Sequence, residues 1–566
     1  MKPFSATEIA RYRDIGAWGD CTLYDILREH AEVRPEQTAV IDPINRANFG
    51  DLPAARLTYR NLLARVDSLS GALSGQGVEA GDVVMVQLPN VWELVACYFA
   101  VARLGAILSP IAMQYRAREL ANAQQLTEAR ILVTTTNFKG MDHATYIEEQ
   151  LPGRFPAILV LEETAPKGAL SLPRLTENWC KRPEVTPPIV DPDSLATICW
   201  TSGTEGQPKG VPRTHNNWRA SGIAVSDGYG IEGPETLLLP FPLINTAAVG
   251  GVLLPWLQCG GTLVLHHPFD VDLFVQQLEE EQVTVAIAAP ALLNTLLEKR
   301  DLRERLERCS LRSVGTGSAP PSPRLLREYQ KNLGIDIINL FGSNEGLLLS
   351  SDRDLMPDPE QRARYFPRIG APDIRWNNRG ANWMQGKLVD PETREIIDQP
   401  GRIGELAFQG PSLFPGYYRN GELDRSAFDN DGFFFTGDLF EIVEDEQGPR
   451  FLKVVGRQKE IIIRGGFNIS PAELDRVLEE LPGVAEVACA GIPDERLGER
   501  VAVYLVPAPG ASITLALVRK FLEEKGLTHI KWPERLVILK SLPRNALNKV
   551  VRSALSDQTV VVEEGI

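Results

Sequence analysis

What this 566-residue chain lacks narrows it first. Its seven cysteines, Cys21, Cys97, Cys180, Cys199, Cys259, Cys309 and Cys489, are odd in number, scattered, and form no C-x-x-C pair. That argues against a disulfide framework and predicts reduced thiols in a cytoplasmic protein. The six histidines show no metal spacing, and adjacent His266 and His267 before Pro268 read as a polar strand end. Positive charge is short, with 59 Lys and Arg against 74 Asp and Glu and a net charge of −15. Nucleic acid and anionic membrane are therefore poor candidates for the main partner, and any site for a polyphosphate must gather positive charge locally. The N-terminus has no continuous apolar core of the signal-peptide kind. The uncharged stretch Thr246–Leu265 is long enough to suggest a membrane span, but Gly250, Gly251, Pro255, Gly260 and Gly261 interrupt it. It reads instead as a buried helix, a glycine turn and a strand. Tandem repeats and low-complexity tracts are missing as well.

What is present describes a soluble globular protein, 43% apolar and 23% charged, and too long for one ordinary core. Apolar runs of strand character recur at Val83–Leu88, Arg130–Thr135, Ala157–Leu161, Val283–Ala288, Leu311–Val314 and Ile335–Leu340. Helical periods lie between several of them, at Pro290–Lys299 and at Pro323–Asn332, the latter capped by Ser322 and followed by Gly334. Strand and helix in alternation imply right-handed crossovers and parallel sheet. After Gly456 the texture becomes a compact α+β pattern. Ser470 to Glu473 reads as a capping box opening a helix to about Leu481, followed by strands at Val484–Ala490 and Arg500–Val506 and a helix Leu515–Lys525 closed by Gly526.

The segment Thr201–Gly210, TSGTEGQPKG, packs three hydroxyls, three glycines and one lysine into ten residues. Such a loop can wrap a polyphosphate with backbone N–H and side-chain O–H groups. It follows the apolar strand Leu195–Trp200, and strand ends are where parallel sheets bind ligands. It is not a Walker A loop, because Pro208 precedes Lys209 and no Gly-Lys-Ser/Thr ending is present.

This loop resembles the phosphate loop of the adenylate-forming superfamily of acyl- and aryl-CoA synthetases, adenylation domains and luciferases. The superfamily's other motifs have counterparts, in order, in FGSNEG (Phe341–Gly346), FFFTGD (Phe433–Asp438), GRQKEIIIRGGFNISPAEL (Gly456–Leu474) and LPRNALNKV (Leu542–Val550). Weaker echoes are GELAFQGPSLFPGYY (Gly404–Tyr418) and the segment Leu88–Ile111. The resemblance implies an α/β fold: a large N-terminal domain of αβ sheets plus a small β-barrel over residues 1–456, a hinge at 457–460, and a mobile α+β C-terminal domain at 461–566. It also implies ATP, Mg2+ and coenzyme A, or the phosphopantetheine of a carrier protein, as reactants. Thr201, Ser202, Gly203 and Thr204 would cradle the β- and γ-phosphates with Lys209 adding charge. Glu345 would be the magnesium ligand, within a motif that includes Gly342 and Asn344. Phe341 and the segment Ser318, Ala319, Pro320 would flank the adenine. Asp438 and Arg457 would hold the ribose, and Lys549 would bridge the substrate carboxylate and α-phosphate. Lys459 matches the pivot of a domain rotation, after which Arg464, Gly465 and Gly466 would line the pantetheine path.

The sequence departs from the pattern at Glu205, where threonine is usual, at Asn344 in place of Thr/Ser, and at Asn548 in place of glycine. Altered rates are expected from these, not a dead enzyme. In LPFPLINTAAVGG, Asn245 lies where many acyl-CoA synthetases have histidine and where aryl-acid AMP ligases have a His-Asn pair whose asparagine grips a ring 2-hydroxyl. This chain has Ile244-Asn245, half of that pair. The acid pocket implied by the resemblance, Ile244, Asn245, Ala247, Ala248, Val249, Ala288, Ala289, Gly315, Gly317 and Leu348, is small and apolar apart from Asn245. It offers no acid to an α-ammonium, which argues against an amino acid substrate. The expected activity is AMP-forming ligation of a hydrophobic cyclic, aromatic or medium-chain acid to CoA. The alternative is a stand-alone aryl- or acyl-AMP ligase loading a carrier protein in trans.

Overall fold

The computed structural model describes residues 3–48, 52–180, 188–201, 208–317, 320–371, 373–464, 467–494, 497–525, 527, 529–545, 549–555 and 563–564. The chain forms two compact units, one from Met1–Gln385 with Gln409–Gly432, the other from Gly386–Phe408 with Phe433–Ile566.

Two large sheets build the first unit. One runs, in spatial order, Leu348–Ser351, Asp336–Gly342, Ser313–Thr316, Val285–Ile287, Thr236–Leu239, Thr262–Leu265, Thr38–Ile41 and Arg56–Thr58. Its pairings are parallel except at the two edges. The other runs Glu422–Asp424, Tyr417–Arg419, Lys209–Thr214, Leu195–Thr201, Ile107–Pro110, Val83–Val86, Ile131–Thr134, Ala157–Val160 and Ala169–Ser171. The helices Trp92–Arg103 and His215–Tyr229 are buried on nearly every side. A helix apolar all round belongs inside a large core. They share one apolar cluster with inward residues of both sheets, among them Val84, Val86, Leu237, Leu239 and Leu263.

The interrupted stretch Thr246–Leu265 resolves as expected into helical turns to Cys259, a left-handed Gly260 and the strand Thr262–Leu265. No helix among the described residues is long and apolar enough to cross a membrane. The expected helix Pro323–Asn332 is capped by Ser322 but is α-helical only to Glu328 and then widens into a π-turn over Tyr329–Leu333.

The second unit begins earlier than a cut at Gly456 would place it. The segment Gly386–Phe408 and the long hairpin Phe434–Asp445/Gly448–Arg457 pair as antiparallel sheet and cluster with the residues that follow. Beyond Arg457 the α+β pattern holds, with the hairpin Val484–Asp494/Gly498–Pro507, the parallel neighbour Arg535–Ile538 and the helices Pro471–Leu478 and Leu515–Glu524. Their apolar faces meet in a cluster containing Ile462, Leu474, Cys489, Val503, Val518 and Leu536. Gly526, expected to close the last helix, lies outside the described residues. Only half of the expected capping box forms. The Ser470 hydroxyl accepts from the Glu473 N–H at 3.3 Å, whereas the Glu473 carboxylate accepts from Lys531 Nζ at 2.7 and 2.8 Å. A full charge is the stronger donor, and it draws the carboxylate away from the cap.

Candidate active site

The loop FGSNEG is a tight turn between the antiparallel strands Asp336–Gly342 and Leu348–Ser351. Ser343 N donates to Leu347 O at 3.0 Å and Gly346 N to Ser343 O at 3.1 Å. Gly346 has φ +112°, and a Cβ there would lie 2.0 Å from the Ser412 carbonyl oxygen. Only glycine lets the two backbones approach this closely. The turn thereby fixes Glu345, whose carbonyl accepts from Phe414 N at 2.8 Å and whose Oε1 accepts from the Tyr417 hydroxyl at 2.9 Å. Lys209 Nζ stands 4.9 Å from the centre of the same tyrosine ring. A carboxylate, a phenol and an ammonium thus meet where several strands end. The other Glu345 oxygen makes no hydrogen bond among the described residues.

Asn344 is the strut of this turn. Its Nδ2 donates to Trp200 O at 3.2 Å, and its Oδ1 accepts from Thr246 N at 2.9 Å. The turn is so tied both to the strand entering the phosphate loop and to the segment that carries Asn245. Beneath it, Arg213 is fully buried, donating from Nη1 to Asn344 O at 3.1 Å and from Nη2 to Asn217 O and Ser221 Oγ at 3.1 and 2.6 Å. Its guanidinium lies 4.2 Å from the Trp218 ring. Burial brings its pKa down to about 10.

Of the phosphate-loop residues, Thr201 ends its strand opposite Lys209, while Ser202, Gly203, Thr204 and Glu205 lie outside the described residues. The strand Leu195–Thr201 is parallel to Ile107–Pro110 on one side and antiparallel to Lys209–Thr214 on the other, so Thr201 and Lys209 stand opposite each other at the seam of a mixed sheet. Pro320 is exposed, and Ser318 and Ala319 are outside the described residues. Phe341 is half-buried, its ring 6.0 Å from that of Phe366, and Gly342 is exposed.

Among the expected acid-pocket residues, Ile244, Ala248 and Val249 are buried and Asn245 and Leu348 half-buried. Asn245 Oδ1 accepts from Ala248 N at 3.3 Å and so caps the short helix that follows. Ala289 and Gly317 are half-buried, whereas Gly315 is buried against Tyr229. Ala288 is buried in the cluster that also holds Leu238, Ala286 and Val314, apart from the one that contains Ile244's neighbours Leu243 and Ala248. A cavity in this unit is lined by Ala224, Val225, Leu340, Leu348, Leu349, Ser350 and Asn378, among others.

The second unit assembles its own polar group. Asp438, buried, pairs with Arg457 Nε at 3.0 Å across the antiparallel ladder. The preceding Gly437 is left-handed at φ +70° and donates its N–H to Glu405 Oε1 at 2.8 Å. On the other side, the ladder with Ile403–Gln409 shifts register between Glu405 and Ala407 at this kink. Lys549 sits on a hairpin closed by Asn545 N to Lys549 O at 2.9 Å and Lys549 N to Asn545 Oδ1 at 3.0 Å. Lys549 is exposed as a residue, yet the protein around its amine strips hydration and Arg457 repels it. These hold its pKa below the ordinary lysine value, with Asp438 and Glu460 opposing. Lys459 is exposed in the single turn Gln458–Glu460. Arg464 is bound up in its own sheet, donating to Glu534 Oε1 at 2.7 Å and to Ile530 O at 3.1 Å, while Gly465, Gly466 and Asn548 lie outside the described residues.

Compared with known families, residues 27–418 match the AMP-binding enzyme family and residues 473–549 its C-terminal domain. The chain is an AMP-binding enzyme. It is 31% identical to the medium-chain fatty-acid–CoA ligase of Escherichia coli K12, over 98% of this chain and 93% of that protein. Against the salicyl-AMP ligase/salicyl-S-ArCP synthetase of Mycobacterium tuberculosis it is 29% identical, over 98% and 94%. ATP-bound MatB from Rhodopseudomonas palustris superimposes with a TM-score of 0.78 at 25% identity, over 95% of this chain and 99% of that one.

In this AMP-binding enzyme the sequence reading missed Tyr417 and Arg213. Tyr417 stood inside a segment already noted, Gly404–Tyr418. Their partners, Glu345 and Asn344, are more than seventy residues away in the chain.

Proposed function

We propose that this AMP-binding enzyme activates a hydrophobic cyclic, aromatic or medium-chain carboxylic acid with ATP and transfers the acyl group to CoA. The observation that carries the reading is that Lys549, Asp438 and Arg457, drawn from three separate motifs, influence one another within a single unit. A carboxylate oxygen attacks the α-phosphorus, and the bond to pyrophosphate breaks. The CoA sulfur, as thiolate, then attacks the acyl carbon, and AMP leaves. Lys549 neutralises charge building between carboxylate and α-phosphate, a contact made most strongly in the transition state. Asp438 offers only lone pairs and suits two ribose hydroxyl donors, with Arg457 beside it.

Glu345 fits a magnesium ion: it is a hard oxygen donor held by Tyr417 with one oxygen to spare. A hard oxygen ligand suits magnesium, which keeps water and phosphate oxygens among its ligands. Held there by Glu345, such an ion would neutralise phosphate charge. Lys209, Thr201 and the described part of the phosphate loop support the same end of the nucleotide, and Ser202, Gly203 and Thr204 complete the cradle. Lys459 serves as the pivot between the two half-reactions, with Arg464, Gly465 and Gly466 along the thiol path. The half-conserved Ile244-Asn245 pair keeps a second reading in play, an aryl-AMP ligase that loads a carrier protein. Incubation with ATP and a panel of aliphatic, alicyclic and aromatic acids, scored by pyrophosphate release, tests the first step. Offering CoA or a phosphopantetheinyl carrier to the resulting adenylate separates the readings, and failure of every acid to release pyrophosphate removes both.

A further inference from the structure

The cavity lined by Val225, Leu340 and Ser350 lies on the inner face of the eight-stranded sheet, beneath the helix His215–Tyr229. Its polar wall is already satisfied, since Asn378 Nδ2 donates to Ser350 Oγ at 3.3 Å. Tyr229, one helical turn beyond Val225 and on the same helix face, is only 2% exposed, and its hydroxyl has no hydrogen-bond partner among the described residues. Phenylalanine would fill this space without the penalty of burying an unpaired hydroxyl. The neighbouring strand is also shaped around that oxygen. A Cβ on Gly315 would lie 2.2 Å from the Tyr229 oxygen and 2.9 Å from a methyl of Leu340, a cavity-lining residue. Gly315 therefore leaves the room that the hydroxyl occupies beside the cavity wall.

Position along the strand gives the direction. Gly315 pairs with Ile338, four residues before Gly342, where the strand enters the turn that carries Glu345. Four strand residues span about 13 Å. An acid with its carboxylate at the motif end would reach the tyrosine with its far end.

We infer that the Tyr229 hydroxyl is a specificity-determining group that hydrogen-bonds an oxygen, hydroxyl or carbonyl, at the end of the acid remote from its carboxylate. The inference rests on the acid-activating reading above and narrows it from an apolar acid to one with a distal oxygen. A buried polar group left unpaired by the wrong substrate discriminates more strongly than an apolar wall.

The test compares saturated acids from hexanoate to dodecanoate with their ω-hydroxy and terminal methyl-ketone counterparts, as kcat/KM for pyrophosphate release, in the wild type and in Tyr229→Phe. The wild type is expected to prefer the oxygenated acid at one chain length by about tenfold. Tyr229→Phe should lose that preference, keep its rate on the plain acids, and melt no lower than the wild type. A wild type without preference at any length overturns the inference with no variant needed. So does an equal preference in both proteins. If no acid of any kind releases pyrophosphate, the acid-activating reading itself has failed, a different result from turnover without discrimination.

Discussion

The Tyr417 hydroxyl donates to Glu345 Oε1 at 2.9 Å while the same ring lies 4.9 Å from Lys209 Nζ. One side chain thus orients the candidate metal ligand and seats the lysine of the phosphate loop. Tyr417→Phe keeps the ring and removes only the donor. A hydrogen bond to a charged group is worth about 1.5–3 kcal/mol. Adenylate formation should fall roughly tenfold or more, with the loss appearing in the magnesium dependence of ATP–pyrophosphate exchange. An unchanged magnesium dependence would mean that the phenol is only a packing contact.

Such a contact explains why the sequence revealed some parts of this protein and hid others. The strands announce themselves because apolar side chains must run continuously where both sheet faces are covered, as at Val83–Val86 and Ile131–Thr134. The phosphate loop and FGSNEG announce themselves through residue types that few other structures need. Tyr417 and Arg213 matter through partners distant in the chain, and no local period encodes those. Ala288, which packs in a different apolar cluster from Ile287, illustrates a related limit of a linear pattern. A strand end tells which residues alternate but not which alternate faces the pocket. The second unit begins at Gly386 because antiparallel ladders join segments that composition leaves separate.

Lys549→Ala should reduce acyl-adenylate formation by about 10²–10³, the usual loss for one transition-state charge contact. Thioester formation from added acyl-adenylate should remain largely intact. The protonated amine is the active form and its pKa lies below the ordinary lysine value, so wild-type adenylation should decline at a lower pH than a free lysine would dictate. Lys549→Arg should move that alkaline limb upward. Equal damage to both half-reactions, or an alkaline limb insensitive to Arg, would remove the assigned role.

Lys459 occupies the short turn Gln458–Glu460 that follows the long hairpin strand. Lys459→Pro restricts the torsions through which a rotation there must pass. Adenylation should persist while thioesterification falls. Wild-type rates in both steps would show that the pivot lies elsewhere.

His215 is buried, with Nδ1 accepting from Leu23 N at 3.4 Å and Nε2 unpartnered among the described residues. Burial lowers its pKa to about 4 from 6.5, against the pull of Asp25 and Asp191. The unfolded chain therefore takes up this proton first as pH falls. Stability from the neutral ring is complete above about pH 6.5 and is lost progressively toward pH 4. His215→Asn should flatten the fall of Tm across that window, although its Tm at neutral pH drops. A slope as steep as that of the wild type would assign the acid sensitivity to other buried groups, such as His267, whose burial lowers its pKa to about 3.

Asn245 has an observed capping role and an expected substrate contact, which one substitution would confuse. Its Oδ1 caps the helix turn at Ala248, and its Nδ2 makes no hydrogen bond among the described residues. If that amide grips a ring substituent, Asn245→Leu should selectively penalise 2-hydroxy and 2-amino aromatic acids and spare alkyl and alicyclic ones, by about 1–3 kcal/mol. Loss of the cap alone would lower Tm and affect all acids alike. Asn245→Ser, which can still cap but reaches less far, separates the two. It should hold Tm near that of the wild type and still lose the ortho-substituent preference. The deciding measurement is the ratio of kcat/KM for matched acids with and without the ortho group in all three proteins. A ratio that never changes would leave Asn245 as a helix cap and make the acid's fit depend on the walls around Leu348 and Tyr229.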